Sequence, residues 1–153
     1  MPAVTLSVPL AELRSHVGES IGTSDWLEIT QDRINAFADT TEDHQWIHVD
    51  VARAKSGPFG GPIAHGFLTL SLAPALVGGL LEVSGISMGV NYGLNKVRFV
   101  SPVPVGSKLR ASGVIKEVTE VAGGQQVILE ATFEIDGGSK PACIAELVFR
   151  YYA

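Results

Sequence analysis

The chain has 153 residues, of which 46% are hydrophobic, and its formal net charge is −5. This length predicts one domain, residues 1–153, because it suffices for a core that removes roughly 70% of the unfolded chain's surface from water. The acidic balance argues against a nucleic-acid ligand, since phosphate binding requires a basic face.

Neither a signal peptide nor a membrane span is expected. Residues 1–16 lack a basic region followed by an apolar core. The longest apolar segment, residues 66–81, is shorter than the ~18 residues of a span, and Pro74 interrupts it. The one cysteine, Cys143, has apolar neighbours and is predicted to be a buried structural thiol. These features together predict a cytoplasmic protein.

The first half of the chain predicts mixed structure. Residues 9–17 are typical of a short helix and residues 25–29 of a short strand. Thr30 is a suitable N-cap for a second helix over residues 31–40. Residues 51–65 contain too many glycines and prolines for a regular element. Residues 66–81 are apolar nearly all round and predict a helix buried on every side, with a kink or break at Pro74.

From residue 86 onward the pattern changes to that of β-strands. Four long, β-branched and partly alternating segments are separated by turns rich in Gly and Pro, which predicts an antiparallel meander. One buried helix followed by four strands indicates an α+β domain with a curved sheet around the helix, and covering the sheet edge favours a homodimer. The segments are residues 86–100, 107–120, 125–136 and 140–152.

Residues 41–50, TEDHQWIHVD, concentrate acids and histidines around an apolar pair. The side chains of Asp43 and His48 converge only if residues 43–48 form a turn or irregular loop. One interpretation is a turn-capping Asp and a His packed beside Trp46. A second is acid–base catalysis, in which an imidazole and a carboxylate share one water.

A third interpretation is a metal site. His44 and His48 are four residues apart and could bind zinc from one helix face, with Asp43 or His65 as a further ligand. The absence of a Glu beside the first His argues against the pattern of zinc hydrolases. We therefore predict no metal.

Acid–base catalysis also requires a donor for negative charge on the substrate. Gly66 follows GGPIAH and starts the apolar helix, so its backbone N–H has no partner within the helix. Glycine permits close approach of a ligand because it has no Cβ. Tight helix packing is an alternative reason for a glycine at this position.

Two segments, EDHQWIH (42–48) and GPIAHGFLTLSL (61–72), together resemble the MaoC-like family of (R)-specific enoyl-CoA hydratases. The family motif is roughly Gly-Asp-x-Asn-Pro-Leu-His, followed by Pro-Ile-x-His-Gly at the start of a central helix. Residues 91–110 resemble the following strand and turn, particularly in the branch with NodN-like proteins. The resemblance covers residues 31–150 and implies the hot-dog fold, a curved antiparallel sheet wrapped around a buried central helix.

The resemblance also implies roles for individual residues. Asp43 and His48 match the catalytic pair, and the N–H of Gly66 matches the oxyanion hole. Ser71, on the central helix, is a weaker substrate-binding candidate. Trp46 and Phe67 are candidates for lining the acyl tunnel. The chain departs from the motif at three positions, where Glu42, Gln45 and Trp46 replace Gly, Asn and Pro.

The implied reaction is reversible addition of water to trans-2-enoyl thioesters, giving (R)-3-hydroxyacyl thioesters in fatty-acid metabolism. The expected ligand is an acyl-CoA or acyl-carrier thioester, and no cofactor is expected, because CoA belongs to the substrate and the thioester stabilises the carbanion. Two alternatives stay open at this point. One is an acyl-CoA thioesterase of the same fold, and the other is a non-catalytic subunit that binds acyl thioesters.

Overall fold

The second half of the chain forms the sheet that its alternating pattern predicts. A computed structural model describes residues 4–153; residues 1–3 of the predicted domain lie outside the described part. Within residues 4–153, five α-helices, α1 to α5, span Gln31–Thr41, Trp46–Val49, Val51–Lys55, Gly66–Ser71 and Ala73–Leu76. The same described residues form eight strands, β1 to β8, which span Leu6–Pro9, Ser20–Thr23, Leu27–Glu28, Leu81–Ser84, Met88–Phe99, Lys108–Val121, Gly124–Ile135 and Cys143–Tyr152.

The order of strands in the main sheet differs from a simple meander. The order is β2-β6-β7-β8-β5, with β3 also paired to β6, and β1 pairs with β4 in a separate parallel pair. The prediction of a four-stranded meander is therefore wrong for β5, which pairs with β8 and not with β6. Only residues 122–123 separate β6 from β7, and residues 136–142 join β7 to its neighbour β8. Residues 100–107, by contrast, contain two prolines and carry the chain across the sheet.

The apolar segment forms a broken helix on the inner face of the sheet. The break follows Ser71, and Pro74 is the second residue of α5, which confirms the predicted interruption. The helix ends at Leu76 and not near residue 81. At Gly78 a Cβ would lie 2.5 Å from the Pro74 carbonyl oxygen, so this close approach requires glycine.

One side of the broken helix is exposed in the single chain. The Phe67 side chain is 68% exposed, whereas Leu68 and Thr69 are buried. The prediction of burial on every side is therefore wrong for the isolated chain. A helix apolar all round needs cover on that side as well.

The first half of the chain matches its prediction in part. Helix α1 begins as expected, with the Thr30 Oγ1 accepting a hydrogen bond of 3.1 Å from the Arg33 N–H. The helix predicted over 9–17 is a 3-10 helix, Leu10–His16, preceded by β1.

Two further segments correct the prediction. The strand predicted over 25–29 is reduced to β3, and β2 was not predicted. Segment 51–65, predicted to be irregular because of its glycines and prolines, contains the short helix α3. The helix forms because the Asp50 side chain caps it by accepting a hydrogen bond from the Arg53 N–H.

The core lies between the inner face of the sheet, the broken helix and α1. Its largest fully buried side chains include Phe133 of β7, Leu109 of β6 and Ile34 of α1. Cys143 belongs to this core, and burial raises the pKa of its thiol to about 11, which confirms the predicted structural cysteine. Within residues 4–153, no helix is long and apolar enough to cross a membrane.

Candidate active site

His48 lies in the short helix α2 and is only 6% exposed. Its Nδ1 is 2.7 Å from the Ile63 carbonyl oxygen, and a carbonyl only accepts, so Nδ1 carries the proton and Nε2 has a free lone pair. The pKa of His48 is lowered from the ordinary histidine value chiefly by burial. The Ile63 hydrogen bond opposes this shift, and the neighbouring His65 adds to it. The imidazole is therefore suited to accept a proton near neutral pH.

Asp43 lies in the loop after α1, with its side chain half exposed. Its Oδ1 accepts a hydrogen bond of 3.3 Å from the Gln45 N–H. Asp43, His48 and His65 each place a ligand-capable atom within 4.8 Å of the others. One water that forms two hydrogen bonds of about 2.8 Å bridges atoms roughly 4.6 Å apart. A ring nitrogen of His48 and a carboxylate oxygen of Asp43 thus lie close enough for one water to contact both.

The three departures from the family motif are compatible with this loop. Glu42 stands where the motif has Gly and adopts the left-handed conformation, with φ of 65°. Trp46 is the first residue of α2, a position that favours Pro because its N–H needs no helical partner. The His48 N–H donates to the Gln45 carbonyl oxygen at 3.0 Å and closes the turn. The turn therefore forms without Asn-Pro.

Gly66 and His48 face the same cavity, which has a volume of about 240 Å³. Gly66 is the first residue of α4, where the backbone N–H has no partner within the helix. A Cβ at Gly66 would lie 3.2 Å from the Phe99 ring, so glycine keeps this part of the cavity open. The other lining residues are Ile63, Ala64, Thr69, Phe99, Ser101, Pro102, Val103 and Ala142.

The three weaker candidates do not line this cavity. Phe67 and Ser71 line a second groove of about 410 Å³ between the broken helix and β5. The Ser71 hydroxyl donates to the Phe67 carbonyl oxygen at 2.6 Å. The Trp46 ring packs under the Arg53 guanidinium, 4.2 Å from its centroid, and borders neither space.

The rings of Phe67 and Phe99 form the wall between the two spaces. Phe67 lines the groove and Phe99 lines the cavity beside His48. The two rings meet edge to face, with centroids 6.1 Å apart.

The metal interpretation fits these residues poorly. His44 is drawn away from His48, since its Nε2 lies 2.9 Å from the Asp39 carboxylate. The rings of His48 and His65 stack with centroids 3.9 Å apart and an angle of 24°. Lone pairs of two stacked rings lie in nearly parallel planes and do not converge on one ion. The arrangement favours proton handling.

Two buried residues of the site, Thr69 and His65, are not assigned to it by the sequence pattern. Thr69 lines the cavity three residues after Gly66, and this helical spacing could have identified it. The sequence indicates His65 only as an alternative metal ligand, yet its ring stacks on His48. No local pattern predicts that stacking.

Comparisons with known proteins identify the family of this chain. Residues 12–135 match the MaoC like domain. The chain is 51% identical over 145 residues to 3-hydroxyacyl-thioester dehydratase Z of Mycobacterium tuberculosis, covering 94% of this chain and 96% of that protein. It is 43% identical over 143 residues to nodulation protein N of Rhizobium leguminosarum bv. viciae, covering 91% and 88%.

The fold also matches a solved enzyme. An R-hydratase from Pseudomonas aeruginosa superposes with a TM-score of 0.76 at 25% identity, over 94% of this chain and 85% of that one. The likeness confirms the hot-dog fold, with its curved sheet around a central helix. The chain therefore belongs to the MaoC-like dehydratase family and is a hydro-lyase.

Proposed function

We propose that this hydro-lyase is an (R)-specific enoyl-thioester hydratase and dehydratase. The observation that carries the proposal is buried His48, whose Nε2 has a free lone pair, which lines one cavity with Gly66 and has a ring nitrogen within 4.8 Å of an Asp43 carboxylate oxygen. The names of two similar proteins, a 3-hydroxyacyl-thioester dehydratase and an R-hydratase, support the same substrate class and stereochemistry.

The proposed mechanism assigns one task to each group. Asp43 and His48 hold a water, and His48 Nε2 takes its proton as the oxygen bonds to C3 of the enoyl thioester. The electron pair of the double bond moves to the thioester oxygen, where the Gly66 N–H stabilises the enolate. Asp43 and His48 then return the proton to C2. This step gives the 3-hydroxyacyl thioester and restores the enzyme to its starting state. No cofactor or metal takes part in this mechanism.

The acyl chain has a suitable place in the groove between the broken helix and β5. Apolar side chains, including Phe67, Leu70 and Leu94, line this groove, and the Phe67 ring meets that of Phe99, which lines the cavity of His48. A CoA or carrier-protein thioester would place its carbonyl at Gly66 and its chain along the groove. A role in fatty-acid metabolism and a cytoplasmic location stay predictions from the sequence.

The active form is proposed to be a homodimer joined through β5. Among the described strands, β5 pairs only with β8, so its other edge presents unpaired backbone groups. Most residues of β5 are exposed, including the large side chains of Met88, Tyr92 and Leu94. Phe67 is exposed beside the same groove. Two-fold pairing of β5 edges would cover these apolar surfaces.

Leu94→Asp is expected to convert the dimer to a monomer, because a carboxylate would enter the covered apolar face. Sedimentation equilibrium measures the mass directly, and the wild type should give twice the chain mass. Val17→Asp is the matched control, since Val17 is 44% exposed and Leu94 45%. A monomeric wild type, or a dimeric Leu94→Asp protein, would contradict the proposed interface.

The pH dependence of hydration follows from the lowered pKa of His48. Hydration requires the neutral imidazole, and a lowered pKa keeps it neutral to lower pH. The acid limb of kcat/KM should therefore have its midpoint below the ordinary histidine value of about 6.5. The measurement is the initial rate of hydration across the acidic range in buffers of constant ionic strength. A midpoint above that value would be inconsistent with buried His48 as the base.

One assay tests the proposed function against both alternatives. The purified protein is incubated with short and long trans-2-enoyl-CoA while the enoyl absorbance and free thiol are followed together. We expect the enoyl absorbance to fall without release of free thiol. Chiral analysis should then identify an (R)-3-hydroxyacyl product. Thiol release would identify a thioesterase, and tight binding without turnover would identify a non-catalytic subunit.

A further inference from the structure

His65 occupies a buried position between the two proposed catalytic residues. It is 2% exposed and precedes α4 as its N-cap, without a side-chain capping hydrogen bond. Its Nε2 lies 2.9 Å from the Asp43 carbonyl oxygen, and because a carbonyl only accepts, Nε2–H is the donor. Its ring lies between His48, with centroids 3.9 Å apart, and Phe37, with centroids 4.9 Å apart.

This hydrogen bond connects an exposed loop to the buried part of the site. Residues 41–45 are exposed, and the Asp43 side chain accepts only a long bond of 3.3 Å from the Gln45 N–H within the loop. The His65 bond spans 22 residues of sequence and joins Asp43 to the residue before Gly66. The ring of His65 is itself fixed by stacking, so it is a rigid support for the loop.

We propose that His65 is a positioning residue, whose Nε2–H holds the Asp43 backbone so that the carboxylate faces the same water as His48. This inference rests on the proposed function, since it assigns the support for that catalytic pair. A misplacement of about 1 Å in a catalytic group can cost up to a hundredfold in rate. His65 therefore acts on the reaction through Asp43 without touching the substrate.

His65→Gln and His65→Asn form a matched pair of variants. The amide of Gln reaches the position of imidazole Nε2 and can still donate to the Asp43 carbonyl, whereas the amide of Asn is one bond too short. Both amides are polar, and Asn is a preferred N-cap, so the Asn variant is not expected to be less stable. We expect kcat of His65→Asn to be at least about tenfold below that of His65→Gln, with similar KM.

Combination with Asp43→Asn tests whether His65 acts through Asp43. If it does, the tenfold ratio between the two His65 variants should fall to about one in the Asp43→Asn background, because coupled residues are not additive. A ratio that persists in this background would overturn the inference. Equal kcat values for the two single variants would also overturn it.

Amide hydrogen exchange separates this inference from the proposed function. The Gln45 N–H, which donates to Asp43, should exchange about tenfold faster in His65→Asn than in His65→Gln, because local opening of the loop becomes easier. This readout needs no turnover. Equal exchange rates would overturn the positioning role even if the enzyme hydrates enoyl thioesters. Faster exchange in a protein without hydratase activity would sustain the positioning role and refute the function.

Discussion

Asp43→Asn and His48→Asn are each expected to lower turnover of an enoyl thioester at least about a hundredfold. The first change removes the carboxylate and keeps its shape. The second removes the basic Nε2, while the Asn amide can still donate to the Ile63 carbonyl oxygen in place of Nδ1. Initial rates at saturating substrate measure the loss, and circular dichroism verifies that the fold is retained.

His44→Gln is the matched control for both variants. His44 lies in the same loop, but its ring is half exposed and bonded to the Asp39 carboxylate. Its replacement should leave turnover within about twofold of the wild-type value, because Asp43 and His48, and not His44, carry the acid–base role. Near-normal turnover in the Asp43 and His48 variants would contradict the proposed roles.

Phe133→Ala is expected to destabilise the fold by about 3–5 kcal/mol. Phe133 is fully buried on the inner face of β7, a central strand of the sheet, so its removal leaves a cavity at the centre of the core. Such a loss is large against a total stability of roughly 5–15 kcal/mol. Urea denaturation at a fixed protein concentration measures the change in free energy of unfolding.

Thr132→Ala is the control for the packing of β7. Thr132 is the neighbouring residue and points to the other face of the sheet, where it is partly exposed. Its replacement should cost less than about 1 kcal/mol. A similar loss in both variants would mean that Phe133 is not part of a tightly packed core.

Much of the fold could be predicted because local patterns determine it. The alternation in β6 and β7 and the cap at Thr30 are visible in short windows of sequence. The pairing of β5 with β8 was not predictable in this way, because a strand's partner depends on where the connection carries the chain, and the strand's own pattern does not show this. The exposure of Phe67 could not be predicted for a related reason. The apolar pattern predicts that a surface needs cover, and not which element covers it.

Some residues of the candidate site could be predicted from the sequence, and others could not. Asp43, His48 and Gly66 follow from the resemblance to the family motif, and the structure brings all three around one end of the broken helix. Trp46 could not be placed, because a tryptophan at the start of α2 is equally suited to a pocket or to stacking with Arg53. The contacts of His65 depend on a fold that joins residues 22 positions apart.

The most direct test of the central claim is the fate of the water oxygen. Turnover of a trans-2-enoyl-CoA in water labelled with heavy oxygen, followed by mass spectrometry, locates the new bond. If Asp43 and His48 activate water for attack on C3, the label should appear in the 3-hydroxyl group of an intact thioester with the (R) configuration. Label in the carboxylate of a released acid, or an unlabelled and unchanged substrate, would contradict the account.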